Sequence, residues 1–286
     1  MWEQVEAQQT EHVLAGTYAE KRITGKDFRG DLYGSTSDVM REKTARAAPT
    51  MPVDIGTSFY WIKPRPYDYA NVYDEFDDVG LGGLPSFQTP AIITHATVAN
   101  RNRDLVVLNS ALGTTYTGQT GTTKTTLPAA QVVGVAYGNS NVNIGLTLKK
   151  LNHASYLFNV SSIKMGDRFL AHTAKELENL LTNVDQVANY LYSDVKALMD
   201  GMVTHFAGFQ FKMLELVPYI AGSTTVRACV AWKKNMLIVG TGADKRTYVD
   251  ILPSNSHAIQ VRSVLLLDGA RKESAGVVEI DCDQSA

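Results

Sequence analysis

Apolar residues recur at helical spacing in a few stretches of the chain and alternate at strand spacing in several others. The clearest helical stretch follows Thr89-Pro90, a good N-cap and a residue suited to the first helical turn. Beyond it Ile92, Ala96, Ala99, Arg103 and Val106 stand four, three, four and three apart. Leu105, Leu108 and Leu112 widen the stripe, and Gly113 stops it. The spacing predicts a helix over 90–112, roughly 35 Å long at 1.5 Å per residue, with Asn100, Arg101, Asn102 and Asp104 on its outer side.

From Gln131 onward the pattern predicts an α+β domain. Thr147 caps a helix carrying Leu148, Leu151, Ala154 and Phe158. Arg168-Phe169-Leu170-Ala171-His172 reads as a buried strand. Thr173 and Glu176 have the spacing of a capping box for a short helix with Leu177, Leu180 and Leu181. Another helix is expected from Ser193 to Gly201. Phe206, Phe209, Phe211 and Met213 suit a strand or hairpin bent at Gly208. Ala228–Trp232 and Met236–Val239 are expected to pair, with Lys233-Lys234-Asn235 near the turn. Ile259, Val261, Leu265 and Leu267 alternate, and Val277–Ile280 predicts a last strand.

The front of the chain is different. Glu3 to Lys21 reads as one polar helix with few core anchors beyond Val5, Val13 and Leu14. Turn-formers dominate from Ile23 to Gly56. Then Thr57-Ser58-Phe59-Tyr60-Trp61-Ile62 predicts an aromatic, β-branched strand. Such a segment has too little apolar chain around it to bury itself. It is either a tail with a surface hairpin, or an arm and hairpin whose apolar partners lie on another subunit. Asp74-Glu75-Phe76-Asp77-Asp78 lacks the spaced ligands and fixed glycine of a calcium loop, so it reads as a solvated acidic turn or one that meets a basic patch. Gly118-Gln119-Thr120-Gly121-Thr122-Thr123-Lys124-Thr125 imitates a phosphate-binding loop. Thr123 stands where that loop needs Gly, and a helix rather than a strand leads into it. A mobile surface loop is expected.

Composition narrows the function classes. The 286 residues are 44% hydrophobic and 20% charged, enough for a sizeable core, and 27 Lys+Arg against 29 Asp+Glu leave a net charge of −2. A protein that binds nucleic acid by broad phosphate neutralisation is normally basic. Cys229 and Cys282 are too few for a disulfide scaffold and read as reduced and buried. The longest apolar runs are strand-sized, and the first residues lack the pattern of a signal peptide, so a cytoplasmic start and no membrane are expected. The six histidines are scattered, with no pair at zinc-binding helical spacing. No nucleophile elbow and no dinucleotide glycine motif occur. His172 could pair in space with Asp167 or Asp185, but a core or strand-end histidine is the simpler reading. No catalytic, metal or cofactor site is expected.

Several stretches resemble the major capsid proteins of tailed bacteriophages, which share the Hong Kong ninety-seven type fold. Gly145–Ala154 looks like the family's helix after its long spine helix, and Phe169–Leu181 is similar to its strand-then-helix step. Val195–Gly201, followed by Phe206–Phe209 and Leu216-Val217-Pro218, resembles a helix leading to a Gly-Phe strand. Ala228–Lys234, Gly269-Ala270-Arg271 and Gly276–Ile280 resemble its closing strands. Over residues 1–130 the likeness is one of layout.

The resemblance implies an α+β fold of that type. Residues 1–23 would be an N-terminal arm and 24–75 an extended hairpin loop. Residues 76–127 would begin the peripheral domain, with the spine helix at about 90–112 and the Gly/Thr loop. Residues 128–244 would form the axial domain, 245–271 the peripheral return strands, and 272–286 the final axial strand and tail. It implies no enzyme and no cofactor, but self-assembly into pentamers and hexamers of an icosahedral shell around packaged double-stranded DNA. Partners would be a separate scaffolding protein, a portal, a decoration protein in some relatives, and DNA touched weakly on the inner surface. The protein would be built in the host cytoplasm and reside in the virion. Lys26, Lys43 and Lys63 match no covalent-crosslink motif. Candidate assembly contacts are Phe59, Tyr60 and Trp61, with Arg41, Arg46 and Arg65 facing Asp74, Glu75, Asp77 and Asp78 of a neighbour. The alternatives are an encapsulin-like compartment shell and an α+β enzyme of unfamiliar motif.

Overall fold

A computed structural model of the chain describes residues 11–34, 56–73, 88–139, 142–182 and 205–285, with isolated positions at Glu42, Lys43, Arg46 and Pro49. The helix expected from Ser193, Arg41, and the acidic residues Asp74, Glu75, Asp77 and Asp78 lie outside the described residues.

Among the described residues, three helices and three sheets make a mixed α+β fold. A six-stranded sheet has the order β7-β14-β11-β8-β10-β9. Its strands are β7 (Val132–Val133), β8 (Arg168–His172), β9 (His205–Phe206), β10 (Phe209–Met213), β11 (Val226–Lys233) and β14 (Val277–Asp283). The two central strands explain its stability. Every residue of β8 is buried, and β11 is buried from Ala228 to Trp232. Both read as nearly continuous apolar runs, as strands covered on both faces must. Helix α2 (Leu148–Val160) packs Leu151, Ala154 and Phe158 into the same core as Leu170, Phe209 and Trp232. Its N-cap is Thr147, whose side chain accepts from the Lys150 N–H at 3.4 Å. β9 and β10 form the expected tight hairpin, with Ala207 and Gly208 both at positive φ, as a two-residue loop of this kind requires.

A second sheet has the order β1-β12-β13-β4. β12 (Leu237–Leu252) and β13 (Ala258–Arg271) form a long antiparallel pair. β4 (Arg65–Tyr73) flanks β13 along its whole length, and β1 (Ala19–Arg22) runs parallel to the start of β12. Helix α1 (Gln88–Leu112) lies against this sheet, with Val106 packed on Leu265, Leu267 and Tyr67. A third, small sheet runs β2 (Phe28–Tyr33), β3 (Thr57–Ile62), β5 (Thr115–Thr117), β6 (Thr123–Thr125).

Four expectations need correction. Residues 19–22 are a strand, not the end of a polar helix. Ala-Glu-Lys-Arg lies at a sheet edge and is largely exposed, so it carries no apolar alternation to betray it. β11 and β12 do not pair with each other. A single 3-10 turn, Lys234–Met236, passes the chain from one sheet to the next. Residues 113–127 are an ordered β-hairpin rather than a bare loop. Glu176 does not complete a capping box: buried, it accepts the Leu146 N–H at 2.8 Å and holds the loop before α2.

Candidate functional site

The aromatic strand β3 sits between β2 and β5, and its two faces meet different surroundings. Tyr60 and Ile62 point into a small core with Ile23 and Ala270. Phe59 and Trp61 lie half-buried on the other face, as the period of two dictates. The expectation that this strand cannot bury itself within its own chain is therefore wrong for Tyr60 and Ile62. Their partners are Ile23 just after β1, Phe28 and Leu32 of β2, Ile238 of β12 and Ala270 of β13, most of them far away in sequence. Gly30 stands directly across from Tyr60, where any Cβ would fall inside the Tyr60 ring.

Trp61 is also held by its own chain. Its indole N–H donates to the Gly118 carbonyl at 2.7 Å. Gly121, at φ +66°, lies so close beneath the ring that a Cβ there would sit 2.6 Å from it. Lys63, two residues on and thus on the same face, donates to the Gly121 carbonyl at 3.0 Å, with its ammonium 4.2 Å from the Tyr116 ring centre. The Gly/Thr segment thus acts as a clasp on β3. The turn is strand-to-strand, so it does not have the strand-to-helix form of a phosphate cradle.

The other candidates are placed as follows. Phe59 lies under the Arg29 guanidinium, 4.9 Å from ring centre to carbon. Arg46 is exposed. Arg65 is exposed at the first position of β4. His172 is a buried strand-end residue whose Nδ1 lies 2.9 Å from the Thr173 carbonyl oxygen, and its ring meets Phe211 edge-on. Burial lowers its pKa. Cys229 and Cys282 are buried free thiols, and burial pushes the Cys282 thiol well up, the opposite of an activated nucleophile.

Three buried charged residues that sequence reasoning passed over tie the sheets together. Asp104, placed on the solvent side by the helical stripe, is 1% exposed. Its carboxylate accepts from the Leu14 N–H at 3.0 Å and the Val13 N–H at 3.3 Å, and meets His12 Nδ1 at 2.7 Å. His12 Nε2 in turn lies 2.8 Å from the Tyr18 hydroxyl. The N-terminal segment is thereby pinned to α1, and the buried Trp232 indole fastens it again by donating to the Thr17 carbonyl at 2.9 Å. Arg271 closes the C-terminal end of α1. Its guanidinium donates to the carbonyls of Ala111 at 2.7 Å and Thr125 at 3.1 Å, and also to that of Gly113. A cation there opposes the negative end of the helix dipole, and burial lowers its pKa to about 10. Lys150 donates to Ile144 and Asp281 carbonyls at 2.8 and 2.7 Å, joining the α2 loop to β14.

Beside the clasp lies a cavity of about 450 Å³, lined by Trp61, Arg65, Asn109, Tyr116, Lys124 and Asp268 among others. Asp268 accepts the Lys63 N–H at 3.3 Å, and burial pushes its carboxyl up. Lys124 belongs to the Gly/Thr stretch set aside as a false phosphate loop.

Across residues 2–284 the chain matches the family model described as phage capsid protein. It belongs to the phage capsid protein family. Solved structures carry the same fold at very low identity. A capsid structure of the cyanophage P-SCSP1u superposes with a TM-score of 0.65 at 11% identity, covering 92% of this chain and 86% of that one. The capsid of Ralstonia phage GP4 gives 0.63 at 12%, covering 96% and 88%. The head structure of Helicobacter pylori bacteriophage KHP40 gives 0.64 at 9%, covering 94% and 88%. No curated protein sequence matches. The capsid protein therefore has the Hong Kong ninety-seven type fold expected from its sequence, and is a major capsid protein, a structural component of a phage virion.

Proposed function

We propose that this capsid protein assembles into an icosahedral shell of pentamers and hexamers around packaged double-stranded DNA, and that it catalyses no reaction. The family match over nearly the whole chain carries this reading. The layout supports it: two larger sheets that share the last third of the chain, a 25-residue helix packed against one of them, and a hairpin that leaves β2 at Tyr33, which is 76% exposed.

In this reading α1, β4, β12 and β13 form the peripheral unit, and the six-stranded sheet with α2 forms the axial one. The resemblance assigns residues 24–75 to the hairpin loop; because β4 pairs with β13 along its length, this reading gives the hairpin residues 24–62 and leaves β4 to the peripheral unit. Arg41, Arg46, Phe59, Trp61 and Arg65, with Asp74, Glu75, Asp77 and Asp78, contribute contacts between copies. A scaffolding protein, a portal and DNA on the inner surface are the partners this function brings with it, and assembly takes place in the host cytoplasm. Full-length protein expressed alone and with its neighbouring genes, then examined by sedimentation and electron microscopy, tests the reading. Closed particles of megadalton mass are expected. A species that stays monomeric or dimeric in every combination rejects it.

A further inference from the structure

The sheet of β1, β12, β13 and β4 is unevenly guarded. β1 covers the outer edge of β12 only from Ile238 to Thr241. Two register shifts follow, on either side of Ala243, and from Arg246 to Leu252 the strand pairs with β13 alone. Among the described residues nothing pairs with its other edge there. Every residue from Arg246 to Ile251 is exposed. Tyr248, Val249 and Ile251 are 45%, 55% and 64% exposed, so neither face of this stretch is packed under a core. The stretch is rich in β-branched and aromatic residues and holds no Pro. An open backbone edge of that composition is a ready template for a strand of another chain. The opposite edge of the same sheet, β4, is blunted by Pro66.

The two charges of the stretch decide which strand fits. Two copies of one strand related by a two-fold axis pair antiparallel, and the residue on the axis faces its own mate. With Tyr248 on the axis, Arg246 faces Asp250 of the second copy, and Asp250 faces Arg246 of the second copy. These residues share one face, as the period of two dictates, so two ion pairs flank a tyrosine pair. Opposite charges directly across a strand pair favour it, and like charges oppose it. Centring on Arg246 or on Asp250 opposes like charges. Centring on Thr247 or Val249 sets Arg246 opposite Tyr248 or Leu252. Within their own chain the two charges stand opposite Val264 and Gln260. Arg262, which lies between those two on β13, is paired with Asp68 of β4 at 3.2 Å.

We propose that residues 246–252 of two copies pair antiparallel, edge to edge, about a two-fold axis at Tyr248, joining two four-stranded sheets into one. The inference rests on the shell reading and names one contact within it. An isologous contact closes on two copies, whereas rings of five or six are built from head-to-tail contacts. The seam therefore joins one ring to the next. A single short strand pair is weak alone, so it acts by repetition over the shell.

The test uses full-length chains assembled into particles. Tyr248→Cys puts a thiol on the axis, opposite its own mate. Ile251→Cys puts one six residues out of that register, about 20 Å from its mate. Cys229 and Cys282 are buried, so the background is low. A short bismaleimide should link Tyr248→Cys chains into covalent dimers about tenfold more than Ile251→Cys chains. Equal linking, or none at Tyr248→Cys, overturns the seam. Where a cysteine variant blocks particles, charge exchange decides. Arg246→Asp alone and Asp250→Arg alone oppose like charges and should each cut particle yield about tenfold. Both together re-form the pairs with reversed polarity and should restore it. Loss without restoration overturns the proposal. So does normal yield from the single variants, which would leave the edge to a different chain. If the unaltered chain forms no particles, the shell reading falls and the seam with it; if particles form without the cross-link, only the seam falls.

Discussion

Replacing Asp104 by alanine should free the N-terminal segment from α1. The carboxylate is 1% exposed and receives two backbone N–H groups, from Leu14 and Val13, besides the His12 ring. Without it these donors stay buried with no acceptor. Each unsatisfied buried group costs about 1–3 kcal/mol. The Val13 bond is long at 3.3 Å, so about 2–4 kcal/mol in all is reasonable. At 1.36 kcal/mol per tenfold, local opening becomes roughly 30- to 900-fold more frequent. Amide hydrogen exchange reads this directly, since Leu14 and Thr17 exchange only when the segment lifts. Asp104→Asn keeps one acceptor oxygen and should give a smaller rise. Exchange at Leu14 rising less than threefold in Asp104→Ala would refute the reasoning. The segment would then be held by burial of Leu14 and Tyr18 and by Trp232 alone.

Other outcomes follow from the same contacts. Arg271→Met leaves the carbonyls at the end of α1 without their donor and should lower stability by about 3–5 kcal/mol, read as a fall of a molar or more in the urea midpoint; an unchanged midpoint argues against the cap. Burial, aided by the neighbouring Asp281, pushes the Glu279 carboxyl up to about 7. The folded state then binds its proton more tightly than the unfolded state, so this group's stabilisation is present below about pH 4.5 and is lost as pH rises through about 7. Glu279→Gln should flatten that decline, giving a higher melting temperature than the unaltered chain at pH 8 and little difference at pH 4. Gly121→Ala should cost about 1–3 kcal/mol through the Trp61 ring and the positive φ, and shift Trp61 emission to the red in a chain with Trp2 and Trp232 replaced by Phe; unchanged emission would detach the clasp from the tryptophan.

The elements legible in the sequence are those whose period and caps agree. The 90–112 stripe, Thr147, the buried run 168–172 and the hairpin at Gly208 all specify their structure locally, and the structure follows them. The resemblance to phage capsid proteins was equally legible, although solved relatives share only 9–12% identity. What escaped depends on contacts distant in sequence. β12 changes sheet after one 3-10 turn, which no strand-pairing rule reads from Lys233-Lys234-Asn235. α1 is covered by the β13 sheet on one side and by the N-terminal segment on another, so Asp104 is buried where a one-sided helix would expose it. Lys150, Arg168, Glu176 and Arg271 contradict the expectation that charge lies outside, because carbonyls, amides and the Asn159 side chain meet them. The clasp on Trp61 is built of Gly and Thr, a composition that by itself reads as a loop.

The place of β1 sets a schedule for synthesis. Ala19 pairs with Ile238 and Thr17 receives its bond from Trp232, so the second strand of this pairing emerges about 200 residues after the first. At about 5–20 residues per second the ribosome needs roughly 10–40 s to deliver it. For that interval Leu14 and Tyr18 have only α1 to lie against, Ile23 lacks its β12 and β13 partners, and the nascent chain carries a sticky front end. Crowded translation of a protein needed in many copies makes this a hazard, since the unseated segment of one chain can occupy the β12 edge of another. Slow codons late in the message would lengthen the exposure, and a chaperone that covers residues 11–23 would be most useful before residue 240 has left the tunnel.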